Sequence, residues 1–383
     1  MDSSFLFAAA ALFAALAIHP FVIYPLTLRF VARAERAAPP AAPQPASYAV
    51  CMCAYNEEAV IERKVENLLA LRAAMGRLDI LIYVDAASDR TAALLAPYQD
   101  RITLIVSPER YGKTHGMNAL VRLTDAEVVL FTDANVMIDA AAVAALGEAF
   151  CDPRVGCVCG HLVYTNGEET PTAGIGSLYW RLEEEIKRRE SAHGAAMGAD
   201  GSLFAIRRVL HRPVPPDLID DFYLSLSILC EGHRVVSAPA ALAYESQVTD
   251  SREEFRRKVR IACQAVNVHR SLWPRLRRLP PTLVYMYLSH KVMRWLSLYA
   301  LAAAGGLFLG GVLAAGVPAP AVGGMAAGGA AAFGLAARRR IPPVAQVAEI
   351  LLALAGAAIG VAASLRGRRF TTWTPASSIR RAG

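Results

Sequence analysis

Charge is scarce in this chain of 383 residues. Asp, Glu, Lys and Arg make up 19% of it, against 55% hydrophobic residues, a balance too apolar for an ordinary soluble enzyme. No basic stretch precedes the first apolar run, and Asp2 stands just before it, so the run does not read as a secretory leader. No helix-turn-helix, zinc-finger or RNA-recognition pattern accompanies the net charge of +7, which removes nucleic acid from the expected partners. The apolar runs hold almost no charge, which argues against a transporter or channel. The seven cysteines include Cys51/Cys53 and Cys157/Cys159. In a strand, that spacing puts each pair on one face, as small core residues. A zinc site would need a tighter ligand pattern with a partner histidine and is the lesser alternative.

The apolar excess lies at the two ends. Phe5 to Val31 carries only His19, Thr27 and Arg29 as interruptions and is long enough to span a bilayer. Arg29, Arg33 and Arg36 follow, so the positive-inside rule places the next segment in the cytoplasm. Residues 1–36 are therefore expected to be an N-terminal membrane helix, and 37–47, rich in proline and alanine, an extended tether. Residues 48–269 read as a globular cytoplasmic domain. Residues 270–295, with Arg270, Trp273, Arg275, Arg277 and Arg278, have the basic and aromatic character of a membrane interface. Within 296–365 lie three apolar segments, near 296–316, 319–336 and 344–365, and 366–383 is a basic tail. If all three cross, the tail arginines fall outside, against the charge rule. The Gly/Ala-rich stretch 319–336 is the candidate for a re-entrant or peripheral segment, since small residues contribute little transfer energy. The expected location is the inner (plasma) membrane, multi-pass.

Inside 48–269, apolar strand-like runs alternate with helical patterns. Tyr48–Ala54 precedes a helix with Val60, Ile61, Val65, Leu68, Leu69 and Leu71 at helical spacing. Ile80–Val84, Ile102–Val106 and Glu127–Phe131 are further strands, and Ser88 or Asp89 can cap a helix near Thr91. This order predicts an α/β domain: a mostly parallel sheet with helices on both faces. Such sheets bind ligands beyond the carboxyl ends of their strands. Asp85 and Asp133 stand at two such ends, so they can converge although 48 positions separate them. Asp133 and Asn135 offer two oxygen ligands for Mg²⁺ or Mn²⁺. Lys113, in a Gly-flanked turn, can stabilise a departing diphosphate.

Taken together, Ala54-Tyr55-Asn56-Glu57, Asp85, Asp89, Gly112-Lys113, Asn118, Asp133-Ala134-Asn135, Gly198-Ala199-Asp200-Gly201 and Asp220-Asp221 resemble the motifs of inverting family 2 glycosyltransferases. The resemblance is to the membrane-bound branch that makes bacterial polysaccharides, and it covers about 48–270. It implies a GT-A fold and a nucleotide-sugar donor contacted by Tyr55, Glu57, Asp85, Asp89, Lys113, Asn118, Asp133 and Asp200. It also implies a divalent metal on Asp133 and Asn135, with Asn where that family has a second acid, and a catalytic base at Asp221 or, failing that, Asp220. Ala54 stands where proline is usual. Arg257 to Ile261 lies where polysaccharide synthases carry Gln-x-x-Arg-Trp. Arg260 is preserved in kind, and Ile261 cannot provide the tryptophan's stacking platform. The basic run around Arg257 and Arg260 suits diphosphate binding or attraction to a membrane surface.

The expectation is thus an enzyme that moves a hexose or N-acetylhexosamine from a nucleotide diphosphate, with UDP the expected nucleotide, to a lipid-linked or glycan acceptor. A processive polysaccharide synthase is the alternative within the class, and a silent nucleotide-binding membrane subunit the alternative outside it. A partner subunit or homo-oligomer could complete a channel. The charged segment 179–191 is expected to be a solvated helix carrying i,i+4 pairs.

Overall fold

The computed structural model describes residues 2–31, 42–166 and 171–375. Arg33 and Arg36, residues 37–41 of the tether, and Arg380 and Arg381 lie outside the described residues. Eight strands form one sheet: β1 Tyr48–Ala54, β2 Leu78–Asp85, β3 Thr103–Ser107, β4 Val128–Asp133, β5 Met137–Ile138, β6 Val155–Tyr164, β7 Leu203–Arg207 and β8 Arg234–Glu245. Their order across the sheet is β3-β2-β1-β4-β7-β6-β8-β5. The first half, β3 through β4, is parallel as expected. The second half is mixed: β7 runs antiparallel to both β4 and β6, and β5 antiparallel to β8. Fully buried β1 explains why its sequence shows no alternation: Ala49, Cys51 and Cys53 pack into one core, and Tyr48, Val50, Met52 and Ala54 into the other. The cysteine pairs are free thiols buried in the first of these cores.

The helices are α1 Ser3–Thr27, α2 Ile61–Met75, α3 Thr91–Leu95, α4 Lys113–Val121, α5 Ala142–Ala149, α6 Pro171–Ser191, α7 Asp220–Cys230, α8 Ser251–Leu276, α9 Pro281–Ala314, α10 Ala319–Arg338 and α11 Val344–Leu365. Four of them, α1, α9, α10 and α11, are long and apolar enough to cross a membrane. Two sequence expectations change here. The basic stretch 270–295 is not a separate element: it is shared between the end of α8 and the first half of α9. The stretch 319–336 is an unbroken helix with no re-entrant turn.

The expected solvated helix is also corrected. In α6, Glu183, Glu184, Lys187 and Glu190 are buried, and only the side of Glu185 and Arg188 is open. The reason is the neighbouring helix pair. Glu190 accepts from Tyr24 of α1 at 2.5 Å and shares a 2.8 Å hydrogen bond with His290 of α9. Glu183 takes Lys291 at 2.9 Å and also Arg294. Paired and hydrogen-bonded, these charges are tolerated in the interior, and they fasten the apolar helices to the sheet domain.

Candidate active site

Parallel pairing sets β1 between β2 and β4, so Asp85 and Asp133 emerge at the same edge on either side of Ala54. The antiparallel return of β7 pairs Leu203 with Thr132, which brings the loop 198–202 over the end of β4. Helix α7 opens at the same place with Asp220 and Asp221, where the helix dipole favours acids. Three elements distant in sequence thereby meet at Gly201. A Cβ added to Gly201 would lie 3.0 Å from Lys113 Nζ, 3.2 Å from Asp221 Oδ2 and 3.6 Å from Asp133 Oδ2. The space beside this glycine is a cradle faced by one ammonium and two carboxylates.

Lys113 holds the cradle together. Its ammonium donates to Asp133 Oδ1 at 2.7 Å and stands 3.9 Å from Asp220 Oδ2. Burial works against its charge, but Asp133, then Asp220 and Asp221, raise its pKa above the usual lysine value. Asp221, 8% exposed, has its carboxyl pushed up to about 7, first by burial and then by Asp220. Asp220 is 2% exposed, and its Oδ2 has no hydrogen-bond partner. A carboxyl poised near neutrality beside a second, buried one is the arrangement a general base needs.

Asp133 and Asn135 fit a hard divalent cation by donor chemistry. Asp133 keeps its Oδ2 toward the Gly201 cradle, and the Asn135 amide nitrogen donates to Glu245 Oε1 at 2.8 Å, which frees its own oxygen. A carboxylate and an amide oxygen are part of an oxygen shell to which a diphosphate and water would add. Among the described residues no three Asp, Glu, His or Cys side chains are grouped to hold an ion by themselves.

The other sequence candidates divide into two groups. Asp200 lies beside the cradle and is locked by Lys187 at 2.7 Å and by Ser202. Arg260 is close enough to feel Asp133, Asp221 and Asp220, and it donates to Gln264 at 3.2 Å. Arg257 pairs with Glu254 at 2.9 Å and also faces Glu245. The remainder make contacts within the protein. Asn118 uses both ends of its amide on the backbone of Val214, so it braces α4. Asp89 caps Thr91 and accepts from the Glu58 amide, clamping the first two loops together. Glu57 is 3% exposed. Asp85 is fully buried and accepts the Tyr111 and Gly112 amides at 2.8 and 3.1 Å.

Four contributors escaped the sequence reading. Lys64 is fully buried and donates to Thr132 at 3.2 Å and to the Val136 carbonyl, bracing both sides of Asp133. A lysine on the apolar face shared by Ile61, Val65 and Leu68 was its signal. Glu245, the acid ending β8, is pushed up to about 7 by burial, with Asp133 adding to the rise. Arg110 lies 3.5 Å over the Tyr55 ring and 3.7 Å from Asp85. Its guanidinium donates to the carbonyl of Trp373, whose ring meets Tyr55 edge-on at 6.0 Å. Nothing local marks a residue 263 positions away as part of the same site.

Residues 49–213 match the model described as Glycosyl transferase family 2. This stretch is a family 2 glycosyltransferase domain. The chain is 26% identical over 218 residues to an N-acetylglucosaminyltransferase of Rhizobium leguminosarum bv. viciae, covering 52% of this chain and 51% of that protein. It is also 26% identical over 227 residues to one of Rhizobium meliloti, covering 55% and 53%. The chain thus spans about half the length of these curated relatives. Among solved structures it resembles the mannosyltransferase PcManGT of Pyrobaculum calidifontis, solved with GDP-Man and Mn²⁺, with TM-score 0.73 and 22% identity over 95% of this chain and 99% of that one. The fold of this family 2 domain is therefore GT-A, with the mixed half of the sheet included.

Proposed function

We propose that this protein is a membrane-bound inverting glycosyltransferase. It moves a hexose or N-acetylhexosamine from a nucleotide diphosphate, UDP by preference, to a lipid-linked acceptor at the cytoplasmic face of the membrane. The observation that carries the reading is the convergence of Lys113, Asp133 and Asp221 on the space beside Gly201. The names of the rhizobial relatives support an N-acetylglucosamine donor.

In this reading Asp221 accepts the proton of the acceptor hydroxyl as its oxygen attacks the anomeric carbon. One in-line displacement inverts that carbon, and no second nucleophilic carboxylate is required. Lys113 and Arg260 offset the negative charge that builds on the departing diphosphate, in a partly buried site where such charges act strongly. Asp133 and Asn135 would hold a divalent ion, Mg²⁺ or Mn²⁺, which when bound supplies further charge stabilisation to the leaving group. Asp200, fixed by Lys187, borders the acceptor side. Tyr55, Arg110 and Trp373 enclose the region at Asp85 assigned to the base. The four apolar helices support membrane residence, and their basic flanks support a cytoplasmic catalytic domain.

The test is a nucleotide-release screen of detergent-purified protein against a panel of nucleotide sugars and lipid acceptors. Release of UDP that depends on acceptor is the expected result. Binding of nucleotide sugar with no release under any acceptor would instead make the chain a silent subunit.

A further inference from the structure

Helix α11 lies along α8 over its whole length. Near its start, Ser251 of α8 donates to Glu349 at 2.9 Å. Further on, Gly356 and Gly360 let the backbones close in: a Cβ on Gly360 would meet Ala262 Cβ and the Val259 carbonyl at 2.6 Å. At its end, Ser364 donates to Asn267 at 2.6 Å and Arg270 donates to the Ser364 carbonyl at 2.9 Å. The two helices therefore run parallel and in register. Yet the first half of α8 carries Arg252, Glu253, Glu254, Arg256, Arg257, Lys258 and Arg260, and charges of this density do not enter hydrocarbon.

The chain beyond α11 returns to the sheet domain. Gln264 and Asn267 donate to the carbonyls of Phe370 and Arg368 at 3.0 and 3.2 Å, Arg369 pairs with Asp217, and Arg110 donates to Trp373. By contrast α1 and α9 form an antiparallel pair whose far end joins Phe7 to Phe308 and whose near end joins His19 to Ser289. After α9 reaches the far side, α10 must bring the chain back, because Glu349 already touches the sheet domain.

We infer that α11, although apolar enough to span, does not cross the membrane. It lies at the headgroup level beside α8, with Val347, Ile350, Leu352, Ile359 and Leu365, each at least 43% exposed, turned to the lipid surface. Only α1, α9 and α10 cross, and the chain after α11 stays on the catalytic side. This assignment reverses the choice made on composition, by which α10 is the weaker span. It also satisfies the charge rule that three crossings after the catalytic domain would break. Arg29, Arg338, Arg339, Arg340, Arg366 and Arg368 all fall on one side, and the loop 315–318 on the other carries no charge.

The inference rests on the membrane reading, and the two fail separately. Flotation of the full chain with liposomes after an alkaline wash tests the membrane reading; protein left at the bottom of the gradient ends both. Proteoliposomes carrying a protease-cleavable tag after residue 383 test the topology. The fraction of tags cut from outside should equal the fraction of chains whose catalytic domain is open to protease. Cutting of the complementary fraction overturns the inference. Depth distinguishes α11 from α10. With Cys151 and Cys230 replaced by serine, a spin label on Ile359→Cys should read as headgroup-level, and one on Gly328→Cys, which faces open space, as bilayer centre. An Ile359 label as deep as the Gly328 label also overturns it.

Discussion

Lys113 donates to Asp133 at 2.7 Å from the first residue of α4, while Asp133 is the last residue of β4. The ammonium thereby neutralises the acid assigned to a metal and stands between it and the Asp220–Asp221 pair. Replacing Asp221 with Asn keeps the shape of this arrangement and removes the base. Transfer should fall by roughly 10²- to 10⁴-fold, with nucleotide affinity nearly unchanged by calorimetry. Wild-type turnover in Asp221→Asn would move the base elsewhere.

The pH profile follows from the same pair. Asp221, with its carboxyl raised to about 7 by burial and by Asp220, is protonated and idle in acid. Activity should therefore rise with pH through the neutral range. Asp220→Asn removes a neighbouring negative charge, so the Asp221 pKa should drop and the acid limb should move to lower pH. A limb that stays in place in Asp220→Asn shows that another group sets it.

Divalent cation should be required, and Asp133→Ala should lose both activity and metal-dependent donor binding. In isolation Asp133 is one carboxylate, so tight metal binding should need the nucleotide diphosphate as well. Titration of Mn²⁺ by paramagnetic resonance, with and without UDP, measures this. Full activity in excess chelator would remove the metal from the mechanism.

Much of this site was legible because a parallel sheet has fixed consequences. Acids that end apolar runs, such as Asp85 and Asp133, are delivered to one edge by topology alone, and β1 was placed to the residue. What stayed hidden depends on contacts between distant segments. Asn118 and Asp89, expected at the nucleotide sugar, hydrogen-bond Val214, Thr91 and Glu58, and polar residues at loop ends serve both uses equally well. The charges of α6 read as a solvated face because the partners of Glu183 and Glu190, which are Tyr24, His290, Lys291 and Arg294, belong to the flanking apolar helices. Those of Glu184 and Lys187, His161 and Asp200, stand at distant points of the sheet domain. The return of β7 against β4 carries no sequence mark, and the mixed half of the sheet went unread.

The seating of Trp373 yields a further prediction. It closes over Arg110 and Tyr55 beside Asp85, so Trp373→Ala should weaken donor binding and leave the chemistry at Asp221 intact. Loss of one cation–π and ring contact, about 0.5–2 kcal/mol, corresponds to roughly 2- to 30-fold in donor KM with kcat little changed. A fall in kcat at constant KM would place the tail's role at the acceptor instead.

The last prediction concerns chain length. Ile261, half-buried on α8, stands where polysaccharide synthases place a tryptophan for stacking a growing glycan, and an isoleucine offers no such platform. With α11 held against α8, three helices remain to cross the membrane, and α10 is largely glycine and alanine. Three such helices line a path for a sugar polymer poorly. The product should therefore carry a single added sugar, released laterally on its lipid. Mass spectrometry of products made with excess donor decides the matter. One added sugar mass, unchanged as donor is increased, is the expected outcome. A ladder of sugar masses extending well beyond one addition would identify a processive synthase, and would require a second copy or a partner chain to complete the channel.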